Sequence, residues 1–186
     1  MEFQSIEKKQ QGQFIHRYDL TYKTVDGKEK VYEVISRDKN IETLSDIQNK
    51  EPDAVVMIMH NANKDKILLN REYRMAVGDW VYNFPAGLLE EGETPEIGGV
   101  RELKEETGLT LISVEDTIPL SYSAVGFSNE KNVCIVGVAD GEFAKSTSTL
   151  EEIESAWYTK EEVKELLQSE LFAARTQAYC YLWCRQ

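Results

Sequence analysis

Positive charge is scarce in this chain, and so are histidine, proline and cysteine. Against 33 Asp and Glu stand only 21 Lys and Arg, a formal net charge of −12 with the 2 His counted as neutral. A surface of that sign repels a phosphate backbone and an anionic membrane, so neither nucleic acid nor membrane is expected as a partner. A small anionic ligand stays open, because a bound cation inverts the local field. No apolar run approaches the ~20 residues of a membrane-spanning helix. The opening MEFQSIEKKQQGQF lacks the apolar centre of a signal peptide, so a cytoplasmic location is expected. The 3 Cys, at 134, 180 and 184, match no zinc or redox spacing. They are expected to be buried free thiols. With only 4 Pro and 11 Gly, no linker, repeat or low-complexity tract stands out.

What is present is enough to fold. The chain is 41% hydrophobic and 10% aromatic over 186 residues, which suits one sizeable core with a small appendage. FIHRYDLTYKTV and KEKVYEVISR flank Asp26-Gly27, the signal of a β-hairpin over Phe14–Arg37. The polar stretch 38–53 reads as a connector. AVVMIMH (Ala54–His60) and KILLNREYR (Lys66–Arg74) read as paired strands around a turn. A short strand over Trp80–Gly87 follows, ending near Pro85. Thr94 and Pro95 are helix-start residues, and Gly108 is a helix stop, so a helix is expected to about Thr107. Strands are expected at 111–114, 118–123, 132–140 and 153–158, then helices at 160–168 and 171–184. The order specifies an α+β or α/β/α sandwich.

The stretch GLLEEGETPEIGGVRELKEETGL, Gly87–Leu109, holds 7 of the glutamates. Glu102, Glu105 and Glu106 stand at i, i+3 and i+4, within an arc of about 100° on one helix face. Like charges so placed repel by some tenths of a kcal/mol per pair. A hard divalent cation reverses that sign, since Mg²⁺ and Mn²⁺ prefer oxygen ligands. Arg101 projects about 100° round from Glu102 and is placed to pair with Glu93 or another carboxylate. An acidic face alone proves nothing: EEVKELL, from Glu161, is equally charged and reads as a solvated surface.

The spacing separates the two cases. Gly87, Glu93, Arg101-Glu102-Leu103, Glu105-Glu106 and Gly108-Leu109 resemble the Nudix box, with every specified position filled. The resemblance implies a Nudix-type α/β/α sandwich with a mixed β-sheet, plus an N-terminal antiparallel β-hairpin unit. It implies an N-terminal region, 1–45, involved in dimerisation, and a hydrolase domain, 46–186, with its box at 87–109. Carried over, Glu102, Glu105, Glu106 and the carbonyl of Ala86 are metal ligands for Mg²⁺, with Mn²⁺ the alternative. Such ions neutralise a pyrophosphate and activate water. Two glycines depart from the usual box helix, Gly98 and Gly99, which cost roughly 1 kcal/mol each relative to alanine.

The flanks resemble the ADP-ribose pyrophosphatase and nucleotide-sugar hydrolase branch. REYR (Arg71–Arg74) and the entry NFPAG imply that Arg74, and Arg71 beside it, contact substrate phosphate. SAVGFSNE (Ser123–Glu130) is similar to the late loop of that branch and places Phe127 among the substrate-binding candidates. Val125, 16 residues past Leu109, replaces the usual proline. The acidic segment from Thr149 implies a further metal ligand, Glu151 or Glu152. The catalytic base is left among Glu151, Glu152, a box glutamate and a water without a dedicated base, with Thr149 at a position where relatives carry a catalytic glutamate. Tyr18, Tyr22, Tyr32 and Phe127 are candidates for stacking on a base, whereas Trp80, Trp157, His16 and His60 are expected to pack. The expected activity is cleavage of ADP-ribose to AMP and ribose 5-phosphate by a homodimer, catalysed by Glu105, Glu106, Arg101 and Glu151. The alternatives are another nucleoside diphosphate sugar, or a silent nucleotide-binding module.

Overall fold

The computed structural model describes residues 1–147 and 151–186. They form two compact units, Met1–Asp53 with Leu120–Asn132, and Ala54–Pro119 with Val133–Gln186.

The first unit is built on an antiparallel sheet of order β1-β2-β3, with β1 Glu2–Gln11, β2 His16–Lys23 and β3 Glu29–Ser36. The expected hairpin is β2–β3. Its turn is closed by Thr24 N–H donating to the Lys28 carbonyl at 2.8 Å, with Gly27 at φ 82°. That positive φ is the reason for glycine there. The third strand, β1, was not expected. In EFQSIEKKQQ only Phe3 and Ile6 are apolar, and both pack on the core of Tyr18, Leu20, Val34 and Ile41. An edge strand needs few apolar side chains, so its alternation was too weak to read. The connector also holds a helical turn, α1 (Leu44–Ile47), fixed by a reciprocal cap between Thr43 and Asp46. Within this unit the late segment is tied to β3: Ile35 N–H donates to the Phe127 carbonyl at 2.8 Å, and Arg37 pairs with Glu130 at 2.6 Å.

The second unit carries a seven-stranded sheet of order β10-β5-β4-β9-β8, with β6 on β5 and β7 on β4. The strands are β4 Ala54–His60, β5 Lys66–Arg74, β6 Asp79–Asn83, β7 Ala86–Leu88, β8 Thr110–Tyr122, β9 Lys131–Asp140 and β10 Ile153–Thr159. The helices are α2 Pro95–Thr107, α3 Lys160–Ser169 and α4 Ala174–Trp183. Strand alternation sends Leu68 to one face, against Leu103 of α2, and Ile67 and Leu69 to the other, against Val163 of α3 and Cys180 and Trp183 of α4. The result is the expected mixed-sheet α+β sandwich. Leu68, Leu103, Met57 and Ile67 are fully buried, each such side chain contributing ~1.5–3 kcal/mol.

Three boundaries differ from expectation. The strand around Trp80–Gly87 is two, because Phe84-Pro85 steps out and the Pro85 carbonyl takes the Met57 N–H at 2.8 Å. The two short strands after the box are one, β8. The last helix begins at Ala174, because Leu171 and Ala173 bond to Tyr82 of β6. Among the described residues, no helix is long and apolar enough to cross a membrane. All three cysteines are buried and unpaired.

Candidate active site

The glutamate helix starts and stops where its residues dictate. The Thr94 side chain accepts the Ile97 N–H, Pro95 occupies the first turn, and Gly108 closes the end at φ 80°. The paired glycines are also accounted for. A Cβ on Gly98 would come 2.5 Å from Leu89 Cδ2, and one on Gly99 would overlap the Met57 thioether. The missing side chains let α2 lie close against the preceding loop at Gly98 and against the sheet at Gly99.

Arg101 organises the acidic face. Its Nε donates to Glu93 Oε1 and its Nη2 to Glu93 Oε2, both at 2.9 Å. Nη1 reaches Glu102 Oε1 at 2.7 Å and Glu105 Oε2 at 3.5 Å, and Nη2 also donates to the Leu88 carbonyl at 3.0 Å. Hydrogen bonds from Arg101 and from the Glu90 N–H hold the Glu93 carboxyl down at about 2. The Glu102 carboxylate fills the space that a Cβ on Gly87 would occupy. Gly87 therefore admits Glu102 beside β7, next to Ala86.

Glu106 is the buried member of that face. It is 8% exposed, and its Oε2 accepts Asn70 Nδ2 at 2.7 Å. The Asn70 carbonyl oxygen accepts the Ser155 hydroxyl at 2.7 Å. Burial raises the Glu106 carboxyl well above the ordinary range, and the charges of Glu102, Glu72 and Glu151 push the same way against the Asn70 bond. Burial raises Glu102 too; Arg101 opposes this, and Glu105 and Glu151 add to it. Glu151 therefore lies within electrostatic reach of two box carboxylates. Glu152 offers its backbone carbonyl to the Tyr73 N–H at 3.0 Å. Thr149 lies outside the described residues.

The arginines part company. Arg74 Nε donates to Glu72 Oε1 at 2.6 Å, and Asn83 Nδ2 reaches the same oxygen at 3.1 Å. Asn83 in turn accepts the Thr176 hydroxyl of α4 at 2.8 Å. Asn70 and Glu72 share the sheet face that carries Glu106. Arg71 is on the opposite face, 4.4 Å above the Trp80 ring and paired with Glu154 at 3.1 Å. Phe127 belongs to the first unit and is 55% exposed. Tyr18 is core, its hydroxyl bonded to the Asp38 carbonyl at 2.8 Å. Tyr22, Tyr32 and Val125 line a cavity of about 300 Å³ within the first unit. His16 and His60 are buried, Trp157 packs against the α2-side core, and Trp80 stacks under Arg71.

Asn70, Glu72 and Ser155 were not anticipated as neighbours of the acidic face. The only signal was Asn70 and Glu72 at i and i+2, directly after the apolar run Ile67–Leu69 in KILLNREYR. Among the described residues, no three His, Cys, Asp or Glu side chains converge as an ion-binding set. Glu102 and Glu105 turn to Arg101, and Glu106 turns to Asn70.

Residues 50–181 match the family model of the NUDIX domain. The chain belongs to the Nudix family. Nudix enzymes generally use divalent metal ions and act on small nucleoside diphosphate derivatives. The chain is 33% identical over 137 residues to an ADP-ribose pyrophosphatase of Bacillus subtilis (strain 168), covering 68% of this chain and 69% of that protein. It is 31% identical over 101 residues to an ADP-sugar pyrophosphatase of Mus musculus, covering 53% of this chain and 43% of that protein. The fold matches the crystal structure of an ADP compounds hydrolase with a TM-score of 0.75 at 17% identity, over 100% of this chain and 93% of the other. The Nudix architecture is thus seen both in the box helix and in the sandwich that carries it.

Proposed function

We propose that this Nudix protein hydrolyses the diphosphate linkage of a nucleoside diphosphate derivative, with ADP-ribose as substrate and AMP and ribose 5-phosphate as products. The observation that carries the substrate is the similarity to the ADP-ribose pyrophosphatase of Bacillus subtilis, 33% identical over 137 residues. The acidic face supports the chemistry. Glu102, Glu105 and Glu106 offer hard oxygen donors, and Glu106 is buried under the charge of three other carboxylates, Glu102, Glu72 and Glu151. A donor set of that kind suits Mg²⁺ or Mn²⁺.

The ligands would be Glu102, Glu105, Glu106, Glu151 and the Ala86 carbonyl. A divalent ion held there would neutralise the pyrophosphate and lower the pKa of a water. Arg101 holds Glu102 and Glu105 in place. Arg74, with Nε committed to Glu72, keeps its terminal guanidinium nitrogens for substrate phosphate. Water adds to one phosphorus, the anhydride P–O bond breaks, and the departing phosphate keeps the bridging oxygen. Glu151 takes the proton released by the water; its electrostatic reach to Glu102 and Glu106 supports it over Glu152. The region 1–45 serves homodimerisation, 46–186 forms the hydrolase domain, and the protein works in the cytoplasm.

The test is product formation from ADP-ribose, ADP-glucose and GDP-mannose with Mg²⁺, with Mn²⁺ and with EDTA. AMP released preferentially from ADP-ribose and abolished by EDTA is the expected result. Preference for another sugar nucleotide would overturn the substrate, and EDTA-resistant hydrolysis would overturn the metal.

A further inference from the structure

Asn70 is 1% exposed and lies opposite Ser155 in the β5–β10 register. Its amide is fixed at both ends, with Nδ2 donating to Glu106 Oε2 and Oδ1 accepting the Ser155 hydroxyl, each at 2.7 Å. A serine hydroxyl has one proton to donate. Its other acceptor within reach, the Glu106 backbone carbonyl, is at 3.4 Å. At 2.7 Å the bond to Asn70 is the stronger of the two, and it turns the carbonyl end of the amide toward β10. The amino end must then face Glu106. With Glu106 ionised, as a cation ligand is, a flipped amide would set two acceptors, Oδ1 and Oε2, against each other in a buried space, which is costly.

We infer that Asn70, oriented by Ser155, is the positioning residue that aims the Glu106 carboxylate. Resting on the reading of Glu106 as a cation ligand, this adds how the ligand is held. With Oε2 anchored on a rigid strand, the carboxylate loses its freedom to rotate, and Oε1 is left for the cation. Two strands that contribute none of the box residues thereby set the angle at which the helix presents its buried glutamate. The partner hydrogen bonds of a ligating carboxylate commonly carry about 10–100-fold of metal affinity.

The test is Mn²⁺ titration of the whole protein, with free Mn²⁺ counted by electron paramagnetic resonance, so the readout is binding and not turnover. Asn70→Leu keeps the volume and removes the donor; Mn²⁺ should bind ~10–100-fold more weakly. Ser155→Val and Ser155→Thr differ by one hydroxyl at nearly constant shape, so they decide the matter even if Asn70→Leu does not fold. Thr should restore wild-type affinity, and Val should not. Glu106→Gln should weaken binding at least as much as Asn70→Leu. Wild-type affinity in Asn70→Leu and Ser155→Val, beside a loss in Glu106→Gln, would overturn the positioning role and leave the ligand role standing. Wild-type affinity in Glu106→Gln would overturn the ligand role, and the positioning role with it.

Discussion

Arg101 grips Glu93 at two points, Nε on Oε1 and Nη2 on Oε2, both at 2.9 Å. The same guanidinium reaches Glu102, Glu105 and the Leu88 carbonyl. One side chain thus ties the loop before the helix to the acidic face of the helix. A planar fork suits this task; the point charge of lysine does not.

The grip carries a pH signature. Glu93 titrates at about 2 in the fold against 4.5 ordinarily. Its pKa is depressed, so the folded state binds fewer protons there than the unfolded chain. The stabilisation is complete above about 4.5 and is lost as pH falls from there toward 2. Glu93→Gln should therefore lower the melting temperature at neutral pH and flatten its fall on acidification. Melting curves of the metal-free protein across that range are the check. Equal acid slopes in the two proteins would show that Glu93 is not the group responsible.

Gly87→Ala should damage activity more than the fold. The new methyl group would take the space of the Glu102 carboxylate. That side chain must move by an ångström or more, and misplacement on that scale costs about 10²-fold in rate. Steady-state hydrolysis alongside circular dichroism separates the two effects. A variant with wild-type kcat would mean that Glu102 works from elsewhere.

His60 should make the protein acid-sensitive at milder pH. It is 7% exposed, faces Tyr179 and Trp183, and burial lowers its pKa below the ordinary value near 6.5. Glu115 opposes that shift, and Lys64 and Lys160 assist it. The folded state prefers the neutral ring. Stability is therefore full above the ordinary value and declines as pH drops below it toward the folded pKa. Urea unfolding at about pH 7 and 5.5 should show the decline, and His60→Gln should reduce it. A larger decline in the variant would contradict the assignment.

The thiols should be silent in the native state. Cys134, Cys180 and Cys184 are 2%, 0% and 6% exposed, and burial drives Cys180 up to about 12. A thiol reagent at pH 8 should modify none of them within minutes and all three in denaturant, since the thiolate is the reactive form. Rapid native labelling at Cys180 would show that α4 opens readily.

Glu102, Glu105, Glu106, Thr94, Pro95 and Gly108 were legible because helix geometry is local: 3.6 residues per turn sets their spacing whatever surrounds them. The free cysteines and the strands β4, β5 and β9 were legible from apolar runs. β1 was not, because an edge strand with two apolar side chains, Phe3 and Ile6, leaves almost no pattern. Ser155 and Asn70 are 85 residues apart, and Asn70 and Glu106 are 36 apart. Sheet register joins them, and register depends on the pairing of whole strands. The same holds for Arg71 and Arg74. Alternation in β5 separates them by face, but only the packing of α2 on one side, and of α3 and α4 on the other, decides which arginine shares the side of the glutamates. The sequence by itself therefore determined the family and the acidic helix, both written in short-range spacing. The tertiary structure alone decided what holds Glu106, since Asn70 and Ser155 come from strands remote in the chain, whereas Arg101, which holds Glu93, Glu102 and Glu105, lies on the same helix.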